Sequence, residues 1–259
     1  MTIPRKLLRG LVLPAVLLVV WQAVCSLGIA DARLVASPAA VWRYFAASAG
    51  SGDLLVDLGA SLGRDLLGYA IGATVGVAGG VLLSLSRLTR DLLLPGINAL
   101  KQVSIFAWVP LISIWFGLGE GARLFVIAFS VWFPVLFNTL EGIAAIPREL
   151  RELPAVYGLN LWQTVRRLIL PAALPSIFTG LYVGLVMAWM VTLGAEYMLT
   201  STRGLGHLLF DGRENFRMDQ VLVGAIVVGI VGYLIHAIAD AIERRALAWR
   251  GTVTEIRIL

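Results

Sequence analysis

This sequence is short of cysteine and of charge. A single cysteine, Cys25, in 259 residues excludes an intrachain disulfide, and with only two histidines it excludes a Cys/His zinc site. Charged residues make up 14% of the chain, against about 25% in soluble domains. Hydrophobic residues make up 59%, and the mean hydropathy is +0.86. That balance excludes a water-soluble globule and points to a bundle of membrane-spanning helices. The strict alternation of a barrel strand is missing too, so helices are left to satisfy the backbone in lipid. Lys and Arg outnumber Asp and Glu by 21 to 16, but they punctuate apolar runs and form no solvated patch, so no nucleic-acid partner is expected.

Apolar stretches run over 11–29, 66–86, 103–118, 124–145, 177–198 and 221–242, which gives six candidate spans for a ~30 Å hydrocarbon core. The first, after Arg5, Lys6 and Arg9 and before Ala30-Asp31-Ala32, imitates a secretory signal. It exceeds the ~7–15 residues of a signal core, so an uncleaved span is expected, and Val24 before Cys25 argues against a lipoprotein. The third is short, and Asp91–Lys101 before it reads as an interfacial helix feeding a span interrupted by Pro110.

With both termini in the cytoplasm, that side holds Arg5, Lys6, Arg9, Arg87, Arg90, Arg148, Arg151, Arg166, Arg167, Arg244, Arg245, Arg250 and Arg257. The outer side holds Arg33, Arg43, Arg64, Arg123, Arg203, Arg213 and Arg217, and Lys101 sits near a boundary. This bias obeys the positive-inside rule. The chain therefore reads as one transmembrane domain over 1–259. A cytoplasmic N-terminus covers 1–10, and spans 1–4 lie in 11–145 with an outer connection at 31–65. A cytoplasmic loop covers 146–170, spans 5–6 lie in 171–242, and a cytoplasmic C-terminus covers 243–259.

Small residues at Gly68, Gly72 and Gly76 have the spacing that lets helices approach closely, either within the chain or across a dimer interface. The loop at 147–175 is richer still. Glu149 and Glu152 precede a short apolar stretch and Gly158 breaks it. Leu161, Trp162, Val165, Leu168 and Ile169 then recur at helical spacing opposite Gln163, Arg166 and Arg167. This predicts a helix–turn–helix outside the bilayer, with Trp162 needing a cover.

Glu152, Gly158 six residues on, and Leu168-Ile169-Leu170-Pro171 resemble the EAA loop of ATP-binding-cassette importer permeases, E-A-A-x3-G-x9-I-x-L-P. Leu153-Pro154 replaces Ala-Ala, and Leu168 replaces Ile; Pro154 predicts a shortened or kinked first loop helix. The segments 115–123 (WFGLGEGAR), 133–143 (FPVLFNTLEGI), 170–185, Ala195-Glu196 and 202–206 (TRGLG) are similar to permeases for aliphatic sulfonates, taurine and nitrate or bicarbonate. The likeness runs from Trp21 to Trp249.

The resemblance implies an all-α type I importer transmembrane domain in a bacterial inner membrane. It implies that Glu152, Ala155, Gly158, Leu159, Trp162, Leu170 and Pro171 couple the chain to an ATPase subunit. A solute-binding protein would deliver a small anion, with sulfonates leading and nitrate, bicarbonate or a pyrimidine precursor as alternatives. The residues agree about energy supply: the only lysines are Lys6 and Lys101, neither follows glycine, and so no phosphate-binding Gly-Lys-Ser/Thr loop exists. The chain is expected to hold no cofactor and to depend on ATP and magnesium bound by two partner ATPase subunits. Six spans are few to enclose a path, so a second copy is expected.

Candidate path residues are Lys101, Gln102, Ser104, Trp108, Trp132, Asn138, Trp189, Thr192 and Glu196, polar or aromatic groups in or beside apolar spans. Single hydrogen-bonding groups among them also serve as interhelical glue, and the tryptophans as core or belt residues. Glu141 either pairs with Arg148 or faces the path. A secondary transporter would place ion-binding carboxylates near the midplane and use inverted repeats, and this sequence shows few of the first and none of the second by eye. A membrane protease would want a Ser, His or paired aspartates assembled within spans; no such constellation assembles, and no two aspartates are expected there.

Overall fold

The computed structural model describes residues 5–28, 35–199 and 201–246, with side chains from Val16 onward. Arg33, Arg250 and Arg257, the start of the 31–65 connection and most of the 243–259 segment lie outside the described residues. All regular structure within them is helical. The elements are α1 (Arg5–Ser26), α2 (Pro38–Ser51), α3 (Asp53–Leu85), α4 (Arg87–Gln102), a 3-10 turn (Ile105–Trp108), α5 (Val109–Phe116), α6 (Glu120–Ala144), α7 (Arg148–Val156), α8 (Leu161–Thr164), a π-helical stretch (Val165–Ile169), α9 (Leu170–Met198), α10 (Leu205–Glu214) and α11 (Met218–Ala246). Among the described residues α3, α6, the continuous helix Leu161–Met198 and α11 are each long and apolar enough to cross a membrane; the bent pair Arg87–Gln102 and Ile105–Phe116 makes a fifth such segment.

The chain divides into two compact units, one of residues 1–61 and 200–230, the other of 62–199 and 231–259. In the first, Ala36, Val41 and Val223 form a small core with Trp21, Tyr44 and Leu222. The start of α3 carries a polar stripe at four-residue spacing, Asp53, Asp57 and Ser61, aimed at the segment that opens α10. Arg203 pairs with Asp53 at 3.2 Å, Gly204 N–H donates to Asp57 at 3.0 Å, and Leu205 N–H donates to the Ser61 hydroxyl at 2.8 Å. Two of the N–H groups that a helix start leaves without intrahelical partners are thereby satisfied by α3. The 31–65 stretch therefore differs from the connection expected of it: it contains α2 and the beginning of α3. Asp53, Asp57, Arg64 and Asp65 interrupt the apolar run without ending α3, because each of the four finds a partner.

The second unit is built on glycine. A Cβ at Gly68, Gly76 or Gly80 would stand 2.7, 2.8 or 2.6 Å from the Cβ of Ile127, Val135 or Thr139, and at Gly72 the backbone of Ala128 leaves no room. The glycine stripe of α3 thus seats α6 backbone to backbone, which settles its use as packing within the chain. Gly180 and Gly184 bring α9 onto α6 in the same way, against Asn138 and Val131. Ile127, Val131, Val135, Ala188, Val191 and Ala195 are enclosed where the three helices meet.

Pro110 does not interrupt the third segment. It stands in the first turn of α5, where a missing N–H costs nothing. The break lies upstream at Val103 and Ser104, whose extended backbone turns the chain by 96°. Pro154 lies inside α7 and does not end it, since the helix continues two residues further to Val156.

Candidate functional site

The turn between α7 and α8 is specified by its own backbone. Gly158 has φ +61°, the left-handed region where glycine carries no Cβ penalty. Leu159 N–H donates to Pro154 O at 2.9 Å and Gly158 N–H to Ala155 O at 3.5 Å, the paired bonds that close a helix through a left-handed residue. Asn160 then starts α8: its side chain accepts from Gln163 N–H at 2.8 Å, while the Gln163 side chain accepts from Asn160 N–H at 3.0 Å. Arg151 fixes the loop to the bundle by donating to the carbonyls of Ile143, Ala144 and Ile146, which close α6. A cation at a helix C-terminus meets its negative end. From sequence alone Asn160 has no role, and Gln163 and Arg151 stand only as a polar-face residue and a cytoplasmic charge, although the Asn-x-x-Gln spacing is a readable capping signal.

This rigid turn exposes apolar surface. Val156, Tyr157 and Trp162 are 77, 73 and 69% accessible, with Leu161 beside them. Glu152, Ala155 and Gly158 are exposed as well, and Leu159 is half-buried. At the inner end, Leu170 packs with Ile143, Ile146, Ala173 and Ile177. Leu170 N–H reaches Val165 O, five residues back, so the helix widens to a π turn before Pro171. The wider turn relieves the clash between a proline ring and the preceding turn, and such turns frequently mark functional segments.

The path candidates separate onto two faces of α9. On one, Thr192 donates to Asp65 at 3.1 Å, Glu196 takes the Arg64 guanidinium at 2.7 Å, and Trp189 packs where Gly232 of α11 leaves space. Arg64 also grips Glu120 through two bonds of 2.7 and 2.8 Å, and Glu120 binds Arg123 at 2.7 Å. Arg123 in turn donates to the Leu199 carbonyl at 2.9 Å. These charges, far apart in sequence, tie α3, α6 and α9 together. Asp57 and Asp65 both lie in α3, where no two aspartates were expected, but they do not meet each other. Each is held by its own partner, the Gly204 N–H for Asp57 and the Thr192 hydroxyl for Asp65.

The other face of α9, with Val183, Met187 and Val191, lines an open cavity of about 470 Å³ whose further walls are α6 and the α4–α5 bend. Lys101, Ser104 and Asn138 line it, joined by Ser130 and Glu141. Lys101 does not pair with Asp91, which meets Arg90 at 3.6 Å; its ammonium stands 4.5 Å over the Phe137 ring. Among the described residues no ion pair joins Glu141 to Arg148. Phe125, Phe129, Phe133 and Phe137 recur every four residues on α6, opposite the Val131 and Val135 face that meets α3. Trp108 meets Phe129 edge-on and Trp132 stacks on it, both at 5.9 Å, so these tryptophans back the aromatic wall. Gln102 ends α4 as an exposed residue.

A helical membrane bundle with an intramembrane cavity and a rigid apolar turn displayed between two helices is the class of protein these features define. The chain belongs to the family of binding-protein-dependent transport system inner membrane components, which it matches over residues 68–247. It is 34% identical to the aliphatic sulfonates transport permease protein SsuC of Bacillus subtilis (strain 168), over 95% of this chain and 88% of that one. It is 32% identical to the taurine transport system permease protein TauC of Escherichia coli (strain K12), over 92% and 88%. A chain of the crystal structure of a bacterial ABC transporter involved in the import of the acidic polysaccharide alginate superposes with a TM-score of 0.66 at 17% identity, covering 93% of this chain and 96% of that one. The fold is that of a type I importer transmembrane domain, and the protein is an ABC importer permease of the inner membrane.

Proposed function

We propose that this permease imports a small organic sulfonate and is driven through the Gly158 turn by a separate ATPase. The observation that carries this reading is the rigid turn itself: a left-handed glycine, a capping box and an Arg151 clamp hold Val156, Tyr157, Leu161 and Trp162 out where only another surface would cover them. Glu152, Ala155, Gly158, Leu159 and Trp162 form the docking face, and Leu170 and Pro171 pass its motion into α9. Two copies of the chain share the path, each seated on one ATPase subunit that binds ATP and magnesium. A solute-binding protein delivers substrate from the other side, and both termini are cytoplasmic. The sulfonate assignment is supported by the sulfonate and taurine permeases among the relatives. Lys101, Ser104 and Asn138 line the path with Gln102 at its rim and Trp108 and Trp132 behind it, while Trp189, Thr192 and Glu196 hold α9 in place.

The test uses cysteines in a Cys25→Ala background. A cysteine replacing Trp162 should react with an impermeant thiol reagent from the cytoplasmic side alone and be protected when the ATPase subunit is bound. One replacing Asn215, exposed at the end of α10, should react from the outside. Labelling of both from one side would overturn the topology, and an unprotected Trp162 site would overturn the docking face.

A further inference from the structure

We propose that the cavity between the α4–α5 bend, α6 and α9 is a selectivity chamber for organic monoanions with an apolar tail, so that the permease itself, and not only a delivering protein, discriminates among substrates. The inference rests on the import reading and names the substrate chemistry of its path. Size is the first argument. A cavity of about 470 Å³ falls in the ~300–1,000 Å³ range of small-molecule sites, whereas an inorganic anion of a few atoms is nearer the ~30 Å³ share of one water.

Polarity is the second argument. Phe129, Phe133, Met187 and Val183 give the chamber an apolar lining, and Lys101, Ser104 and Asn138 supply hydrogen-bond donors on the same lining. Among the described residues no carboxylate pairs with Lys101; its charge is met by the Phe137 face, which leaves the ammonium N–H groups available to an incoming oxyanion. Asn138 spends one amide N–H on Pro134 O at 2.8 Å and keeps the other. A sulfonate head would take the ammonium, the Ser104 hydroxyl and this amide, while its carbon chain displaces water from the phenyl faces. A dianion such as sulfate has no carbon chain to set against the phenyl wall and is disfavoured by it.

The experiment compares ATP-driven uptake of pentanesulfonate and methanesulfonate by the complete importer in vesicles, with its binding protein saturated by either. Phe133→Ala should lower pentanesulfonate uptake about tenfold relative to methanesulfonate, the scale set by losing a few methylene contacts, while Phe133→Leu keeps most of the preference. Lys101→Gln should lower both, and Lys101→Glu should lower both further. Co-purification of the ATPase subunit reports assembly for every variant. An unchanged pentanesulfonate-to-methanesulfonate ratio in an assembled Phe133→Ala importer overturns the chamber and leaves the import reading standing. Absence of ATP-driven uptake of either compound by the unsubstituted importer overturns both.

Discussion

Gly158→Arg is expected to abolish coupled transport while the protein inserts and packs normally. At φ +61° an L-residue costs about 1–2 kcal/mol, and a Cβ there meets no atom of this chain within 4 Å. The bundle therefore tolerates the change, and the burden falls on whatever docks against the turn. Backbone strain and obstruction separate cleanly: Gly158→Asn accepts the left-handed conformation with a short side chain and should keep much of the coupling. The readout is substrate-stimulated ATP hydrolysis and co-purification of the ATPase subunit, alongside the amount of permease in the membrane. Full stimulation by the arginine variant would remove Gly158 from the docking face.

Arg64→Met carries the largest expected loss of stability. Arg64 serves two carboxylates of different standing. The Glu120 side chain is 56% accessible, and an exposed pair contributes only about 0–1 kcal/mol. Glu196 is fully buried, and removing the cation from a buried carboxylate costs about 3–5 kcal/mol. The Glu196 arm thus decides the outcome. Arg64→Met should lower the melting temperature of the purified protein sharply, and adding Glu196→Leu should restore much of it, since the stranded charge is then gone. A double variant no more stable than Arg64→Met would place the destabilisation elsewhere, in the Glu120–Arg123 side of the network.

The contrast between these residues explains what the sequence made legible. The Gly158 turn is local: Glu152, Gly158 and Leu170-Pro171 lie within twenty residues, and the bonds that fix the turn join neighbours. The apolar cores of α6, α9 and α11 were equally readable, because hydropathy and helix length are local properties. The start of α3 was not. Asp53, Asp57, Arg64 and Asp65 look like a polar connection until Arg203, Gly204, Glu196 and Thr192 arrive from more than a hundred residues away to satisfy them. The path candidates failed to sort for a related reason. Thr192 and Val191 are adjacent in sequence, yet a helix turns them about 100° apart, one toward Asp65 and the other toward the cavity, and only the packing of α3 against α6 says which face is which.

ATP-driven import is the central claim, and reconstituted uptake tests it most directly. Vesicles holding the permease and its ATPase subunit, loaded with ATP and magnesium and supplied outside with the binding protein and radiolabelled alkanesulfonate, should accumulate label only when all of these are present. Accumulation driven by a proton or sodium gradient, without ATP or binding protein, would contradict it.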